Sequence, residues 1–130
     1  MSNTSVDLSK IKGISILVVE DDTVSRIFLR ELLTPTQAKI DYAKTGYEAT
    51  QYMEKNSAPD IILLDLRLPD IDGVDLARNF LAANPNLNII AQTAYVSVGQ
   101  EERCKNVGIK AFLAKPIKKA HLVELLAQFA

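Results

Sequence analysis

Apolar residues along this chain follow two alternating rhythms. One is a short, nearly unbroken run, as in "SILVV" (15–19), "DIILLD" (60–65), "NIIAQT" (88–93) and "KAFLA" (110–114). "AKIDYA" (38–43) alternates instead, and all five read as strands. The other rhythm has helical spacing. "TVSRIFLRELL" (23–33) carries Val24, Ile27, Phe28 and Leu32, and Pro35 stops it. "GYEATQYMEKN" (46–56) turns Ala49, Tyr52 and Met53 inward. "VDLARNFLAAN" (74–84) ends before Pro85. "GQEERCKNV" (99–107) is a weak helix with little apolar beyond Cys104 and Val107. "AHLVELLAQFA" (120–130) puts Leu122, Leu125, Leu126 and Phe129 on one face.

Five strands and five helices therefore alternate strictly. "ILVV" and "IILL" have no polar face, as expected when helices cover both sides of a parallel sheet. Right-handed crossovers then give a three-layer α/β sandwich. Residues 1–12 are polar and aperiodic and read as a loose tail or the end of a linker; 13–130 read as one domain.

Composition narrows the function classes. A chain of 130 residues with net charge −1 gives no basis for nucleic acid or anionic membrane as the main partner. No apolar run approaches the ~20 residues of a membrane span. The start "MSNTSVDLSK" lacks the features of a secretory signal. The one cysteine, Cys104, cannot form an internal disulfide, which fits a reducing, cytoplasmic setting, and it reads as a small core residue.

Ligands of an open parallel sheet sit beyond the carboxyl ends of its strands. Strand one ends in Glu20, Asp21 and Asp22, strand three in Asp65, strand four in Thr93 and strand five in Lys115-Pro116. Strand two ends blandly in Ala43 and Lys44. Asp22 or Thr23 is most simply the N-cap of the first helix. If strands one and three are neighbours, Asp65 faces Glu20 and Asp21. Two carboxylates ~6 Å apart repel by about 3 kcal/mol at an effective dielectric of ~20. Such a cluster favours a divalent cation, and an all-oxygen set suits Mg²⁺. An ionised Asp needs no general base to act as a nucleophile toward phosphorus. The oxygens of an incoming phosphoryl group then need partners, and Lys115 and the Thr93 hydroxyl are placed to supply them. His121 reads as structural or solvated.

These residues carry a resemblance. The chain resembles the receiver domain of two-component signalling, from about Ile14 to its end, through "ILVVEDD", "DIILLDLRLPDIDG", "IIAQTA", "VGIKAF" and "LAKPI" in that order. The resemblance implies a flavodoxin-like sheet of order 2-1-3-4-5. It implies that Asp65 accepts a phosphoryl group from a phosphohistidine on a histidine kinase or histidine phosphotransfer protein. It implies Mg²⁺, or Mn²⁺, held by Glu20, Asp21, Asp65 and the backbone carbonyl of Arg67. Thr93 and Lys115 would contact the phosphoryl oxygens, and Lys115-Pro116 would be cis. The domain would catalyse its own phosphorylation and dephosphorylation without being a dedicated metabolic enzyme.

Phe112 matches the aromatic switch position, where Tyr is common, so only packing can report there. The Arg67 side chain would pair either with an acid or with the phosphoryl group, and Tyr95 would shield the site from water. The weak fourth helix, with strand five and helix five, is the expected output surface, and a homodimer through that face is among the expectations. "AQTAY", Cys104 and "LAKPIKK" look more like receivers fused to hybrid histidine kinases than like stand-alone regulators.

Three rivals stand beside this reading. A flavin or nucleotide binder would need a phosphate cradle where Glu20, Asp21 and Asp22 stand. An aspartate-nucleophile phosphatase would need an acid two residues after Asp65, where Arg67 stands. A receiver-shaped interaction module that is never phosphorylated is the alternative that the intact acids, Thr93 and Lys115 argue against.

Overall fold

In a computed structural model, which describes residues 8–94 and 96–130, the strands are β1 (Ser15–Val19), β2 (Lys39–Ala43), β3 (Ile61–Asp65), β4 (Ile89–Thr93) and β5 (Ala111–Ala114). All are parallel, in the order β2-β1-β3-β4-β5. The helices are α1 (Thr23–Leu33), α2 (Gly46–Lys55), α3 (Gly73–Ala83), α4 (Val98–Val107) and α5 (Lys119–Phe129). The expected flavodoxin-like sandwich is what the chain forms.

Strand alternation divides the core in two. Leu17, Val19, Ile62, Leu64, Ile89 and Ala91 pack with Ala49 of α2, Val74 and Phe80 of α3 and Cys104 of α4. Ile16, Val18, Ile61, Leu63, Ile90 and Leu113 pack with Leu29 and Leu33 of α1 and Leu122 and Leu126 of α5. β1 and β3 are buried along almost their whole length because helices cover both faces. The edge strand β2 is mostly exposed.

Two details differ from the sequence pattern. Val24, Ile27 and Phe28, whose spacing announces α1, are 73%, 45% and 44% exposed, while Leu29 and Leu33 are buried. The helix is apolar over more than one stripe, and the sheet takes only one of them. At the other end, Leu8–Lys10 form a 3-10 turn that packs against α5, and Ile11 is buried in the core. Folded structure thus begins within the segment read as a tail; its residues 1–7 lie outside the described residues.

Candidate functional site

The carboxyl edge of the sheet gathers its charged residues by strand order. β1 and β3 are neighbours, with Val19 opposite Leu64, so the residues that follow, Glu20 and Asp65, emerge side by side. Both are buried, whereas Asp21 is exposed. One carboxylate oxygen from each of Glu20, Asp21 and Asp65 lies within 4.8 Å of the others. Asp22 is turned away as the N-cap of α1, accepting hydrogen bonds from the Ser25 N–H at 2.8 Å and the Ser25 hydroxyl at 2.9 Å. Those bonds hold its carboxyl below the usual carboxylate range.

Lys115 reaches this cluster from the far side of β4. Its Nζ lies 2.7 Å from Glu20 Oε1 and 3.4 Å from Asp65 Oδ2, bridging residues 95 and 50 positions away in the chain. The Lys115–Pro116 peptide bond is cis. Burial pushes the Glu20 carboxyl up to about 7, aided by a hydrogen bond with Asp65 and opposed by the Lys115 ammonium. Burial also works to lower the Lys115 pKa. The hydrogen bond to Glu20 and the charges of Asp65 and Glu20 outweigh it, holding the ammonium above the usual lysine range.

Backbone donors complete the frame. The Glu20 N–H donates to the Ala43 carbonyl at 2.9 Å, and the Asp22 N–H donates to Glu20 Oε2 at 3.2 Å. The Arg67 N–H donates to Asp65 Oδ1 at 2.9 Å. The loop that follows is closed by the Gly73 N–H donating to the Leu66 carbonyl at 3.0 Å and by an antiparallel bridge between Arg67 and Asp72. Gly73 is required there: a β-carbon would stand 2.6 Å from Leu66 Cα and 2.7 Å from the Asp65 carbonyl oxygen.

Thr93 is buried at the end of β4, and its carbonyl accepts from the Lys115 N–H at 2.8 Å. It lines a cavity of about 400 Å³ with Leu66, Arg67, Asp72, Ser97 and Gln100. Phe112 is half-buried against the α2–α4 side of the core. Tyr95, the third expected switch residue, lies outside the described residues.

Three residues with a bearing on the site carry no signal of it in the sequence. Arg26 Nη1 donates to the Glu20 carbonyl at 2.8 Å, holding α1 to the end of β1. Gln92 pairs in register with Asp65 and is fully buried, yet neither of its amide atoms has a hydrogen-bond partner. It lines a groove of about 470 Å³ with Ser25, Phe28, Lys115 and Pro116 among others. Asp70 binds the start of α2. In sequence, Gln92 is one polar residue in a strand and Asp70 one acid in a loop.

This donor set fits a small divalent cation. It is all oxygen, half-buried, and already demands positive charge, which Lys115 supplies. The response regulator receiver domain family matches residues 16–127. The chain belongs to that family and is a receiver domain of two-component signalling. Among curated proteins, it is 30% identical over 130 residues to hybrid signal transduction histidine kinase L of Dictyostelium discoideum, covering 95% of this chain and 8% of the kinase. The chain thus spans a small part of that relative's length. It is 28% identical over 118 residues to the polar-differentiation response regulator DivK of Brucella ovis, covering 88% of this chain and 94% of DivK.

Among solved structures, it is 33% identical to the receiver domain of a sensor histidine kinase of Pseudomonas aeruginosa PAO1, with a TM-score of 0.81 and coverage of 90% and 97%. That protein has a magnesium ion coordinated in its active-site cleft. A CheY-like receiver of Methanospirillum hungatei JF-1 is 26% identical, with a TM-score of 0.83 and coverage of 90% and 93%. No helix among the described residues is long and apolar enough to cross a membrane.

Proposed function

We propose that Asp65 is the phosphoacceptor of a two-component relay, taking a phosphoryl group from a phosphohistidine on a histidine kinase or phosphotransfer protein. The observation that carries the proposal is the convergence of Glu20, Asp65 and Lys115 within hydrogen-bonding distance at the carboxyl edge of the sheet.

Magnesium is the cation this donor set fits, held by Glu20, Asp21, Asp65 and the carbonyl of Arg67. When bound, it neutralises the charge that the acids and the incoming phosphoryl group bring together. The chain supplies the rest. The Asp65 carboxylate attacks phosphorus, an acyl phosphate bond forms, and the phosphorus–nitrogen bond of the donor breaks. The Lys115 ammonium, already beside Asp65, turns to a phosphoryl oxygen, and the Thr93 hydroxyl takes another. Glu20 and Lys115 are buried enough that these interactions work in a lower dielectric than water. Drawing Thr93 toward the phosphoryl group leaves room for Phe112 to turn inward, and the surface of α4, β5 and α5 shifts as a result. The receiver unit of residues 13–130, with Ile11 buried in its core, acts in the cytoplasm.

Incubation with acetyl phosphate and Mg²⁺, followed by intact mass, tests this reading. An adduct of about 80 Da, the mass of a phosphoryl group replacing a proton, is expected. It disappears with EDTA and in Asp65→Asn. No adduct on the wild-type protein would favour the interaction module that is never phosphorylated.

A further inference from the structure

Asp70 is the one acid of the loop between β3 and α3 that turns toward α2. Its Oδ1 accepts from the Gly46 N–H and its Oδ2 from the Tyr47 N–H, each at 2.9 Å. These are the first two N–H groups of α2, donors that a helix leaves without an internal partner. The helix has its own separate cap: Thr45 Oγ1 accepts from the Glu48 N–H at 3.0 Å. Asp70 therefore adds a second, long-range grip, 24 positions along the chain, and its negative charge suits the positive end of the helix dipole. The contact is close. A β-carbon at Gly46 would overlap Ile71 Cγ2 and stand 3.3 Å from Asp70 Oδ1. The Gly46 N–H is the main reason the Asp70 carboxyl stays below the usual range.

The grip matters because of what the same loop carries. Arg67 is fixed on one side by its N–H to Asp65 Oδ1 and by its bridge to Asp72. Asp70, between Arg67 and the start of α3, ties the outer bend of the loop to a different helix. Without it, segment 67–71 keeps the packing of Leu68 and Ile71 on the core but loses its hydrogen bonds to α2.

We infer that Asp70 is a positioning residue for the cation site: by gripping the α2 N-terminus it fixes the backbone carbonyl of Arg67 in the direction the metal needs. The inference rests on the proposed role of that carbonyl as a ligand. Mg²⁺ demands near-ideal octahedral geometry, so a loop free to tilt weakens its binding even when every carboxylate is intact. Groups that orient metal ligands typically contribute 10–100-fold to affinity.

Calorimetric titration of Mg²⁺ into the wild type, Asp70→Ala, Asp70→Asn and Thr45→Ala, with a thermal melt of each, separates the possibilities. Asp70→Ala is expected to weaken Mg²⁺ binding about 10-fold, the lower end for such orienting groups, and Asp70→Asn, which keeps one acceptor, by less. Thr45→Ala removes the helix's own cap and lowers the melting temperature, but leaves Mg²⁺ affinity within about twofold, since no orienting group is touched. Wild-type affinity in Asp70→Ala would overturn the inference. So would an equal loss in Thr45→Ala, which would mean that the order of α2 alone matters. A wild-type protein that binds no Mg²⁺ would overturn the proposed function itself and this inference with it.

Discussion

Two connections leave the sheet from neighbouring strands, and the chain fastens them differently. After β3, the loop to α3 is closed by the Gly73–Leu66 hydrogen bond, bridged between Arg67 and Asp72, anchored to α2 through Asp70 and packed so tightly that Gly73 has no room for a β-carbon. After β4, α4 buries only Cys104. One ion pair ties it to that loop: Arg103 Nη2 to Asp72 Oδ1 at 3.3 Å, with both side chains 40% or more exposed. A helix held so lightly is cheap to move, and a loop held so firmly is not. The difference teaches where rigidity is needed. A cation and a phosphoryl group require fixed ligands on the β3 side, while the proposed readout needs an element with two positions of similar energy on the β4 side.

The largest effect tests the fixed side. Lys115→Met leaves two buried acids without their cation, which typically costs about 3 kcal/mol. Urea unfolding at pH 8 in EDTA should show that loss, and at pH 6 a smaller one. The sign follows from Glu20. Its folded pKa of about 7 lies above the ordinary value of 4.5, so the folded state holds the proton more tightly. Stability that depends on protonated Glu20 is full below about 4.5 and declines as pH rises through 7. Lys115 is raised from 10.5 and stays charged across this range, so it does not cancel the trend. A penalty that grew on acidification would contradict the burial of Glu20.

Gly73→Ala comes next. Its β-carbon meets backbone atoms of Asp65 and Leu66, which cannot swing aside, and a destabilisation of about 2 kcal/mol with weakened Mg²⁺ binding is expected. On the loose side the effects shrink. Cys104→Ser places a hydroxyl in the one buried position of α4 and should cost about 1 kcal/mol. Hydrogen exchange should show the resulting opening confined to residues 98–107. Arg103→Ala should change global stability by less than about 0.5 kcal/mol, because the ion pair is solvent-exposed. If Arg103→Ala proved as damaging as Gly73→Ala, the contrast between the two connections would collapse.

Much of this was legible in the sequence, for physical reasons that also explain what was not. The runs "ILVV" and "IILL" are covered on both faces, so their strands are unmistakable, and the ends of strands mark one edge of the sheet. Glu20, Asp21, Asp65, Thr93 and Lys115 therefore fall at strand ends on one edge in the sequence pattern, and the structure brings Glu20, Asp21, Asp65 and Lys115 within reach of one another. The buried stripe of α1 could not be read, because apolar residues occupy more than one face and only docking selects Leu29 and Leu33. Ile11 stands between two lysines, Lys10 and Lys12, and its burial depends on the core beneath α1 and α5. In sequence Asp70 is one more loop acid, because its partners lie in α2 and no local pattern links them.

The claim on which the account turns is that Asp65, among the three clustered acids, is the one that becomes phosphorylated. Borohydride reduces an acyl phosphate to an alcohol and so converts a phosphorylated Asp to homoserine. After acetyl phosphate and Mg²⁺, then borohydride, peptide mass spectrometry should find homoserine at position 65 and aspartate at position 21. Homoserine at position 21, or at neither, would contradict it.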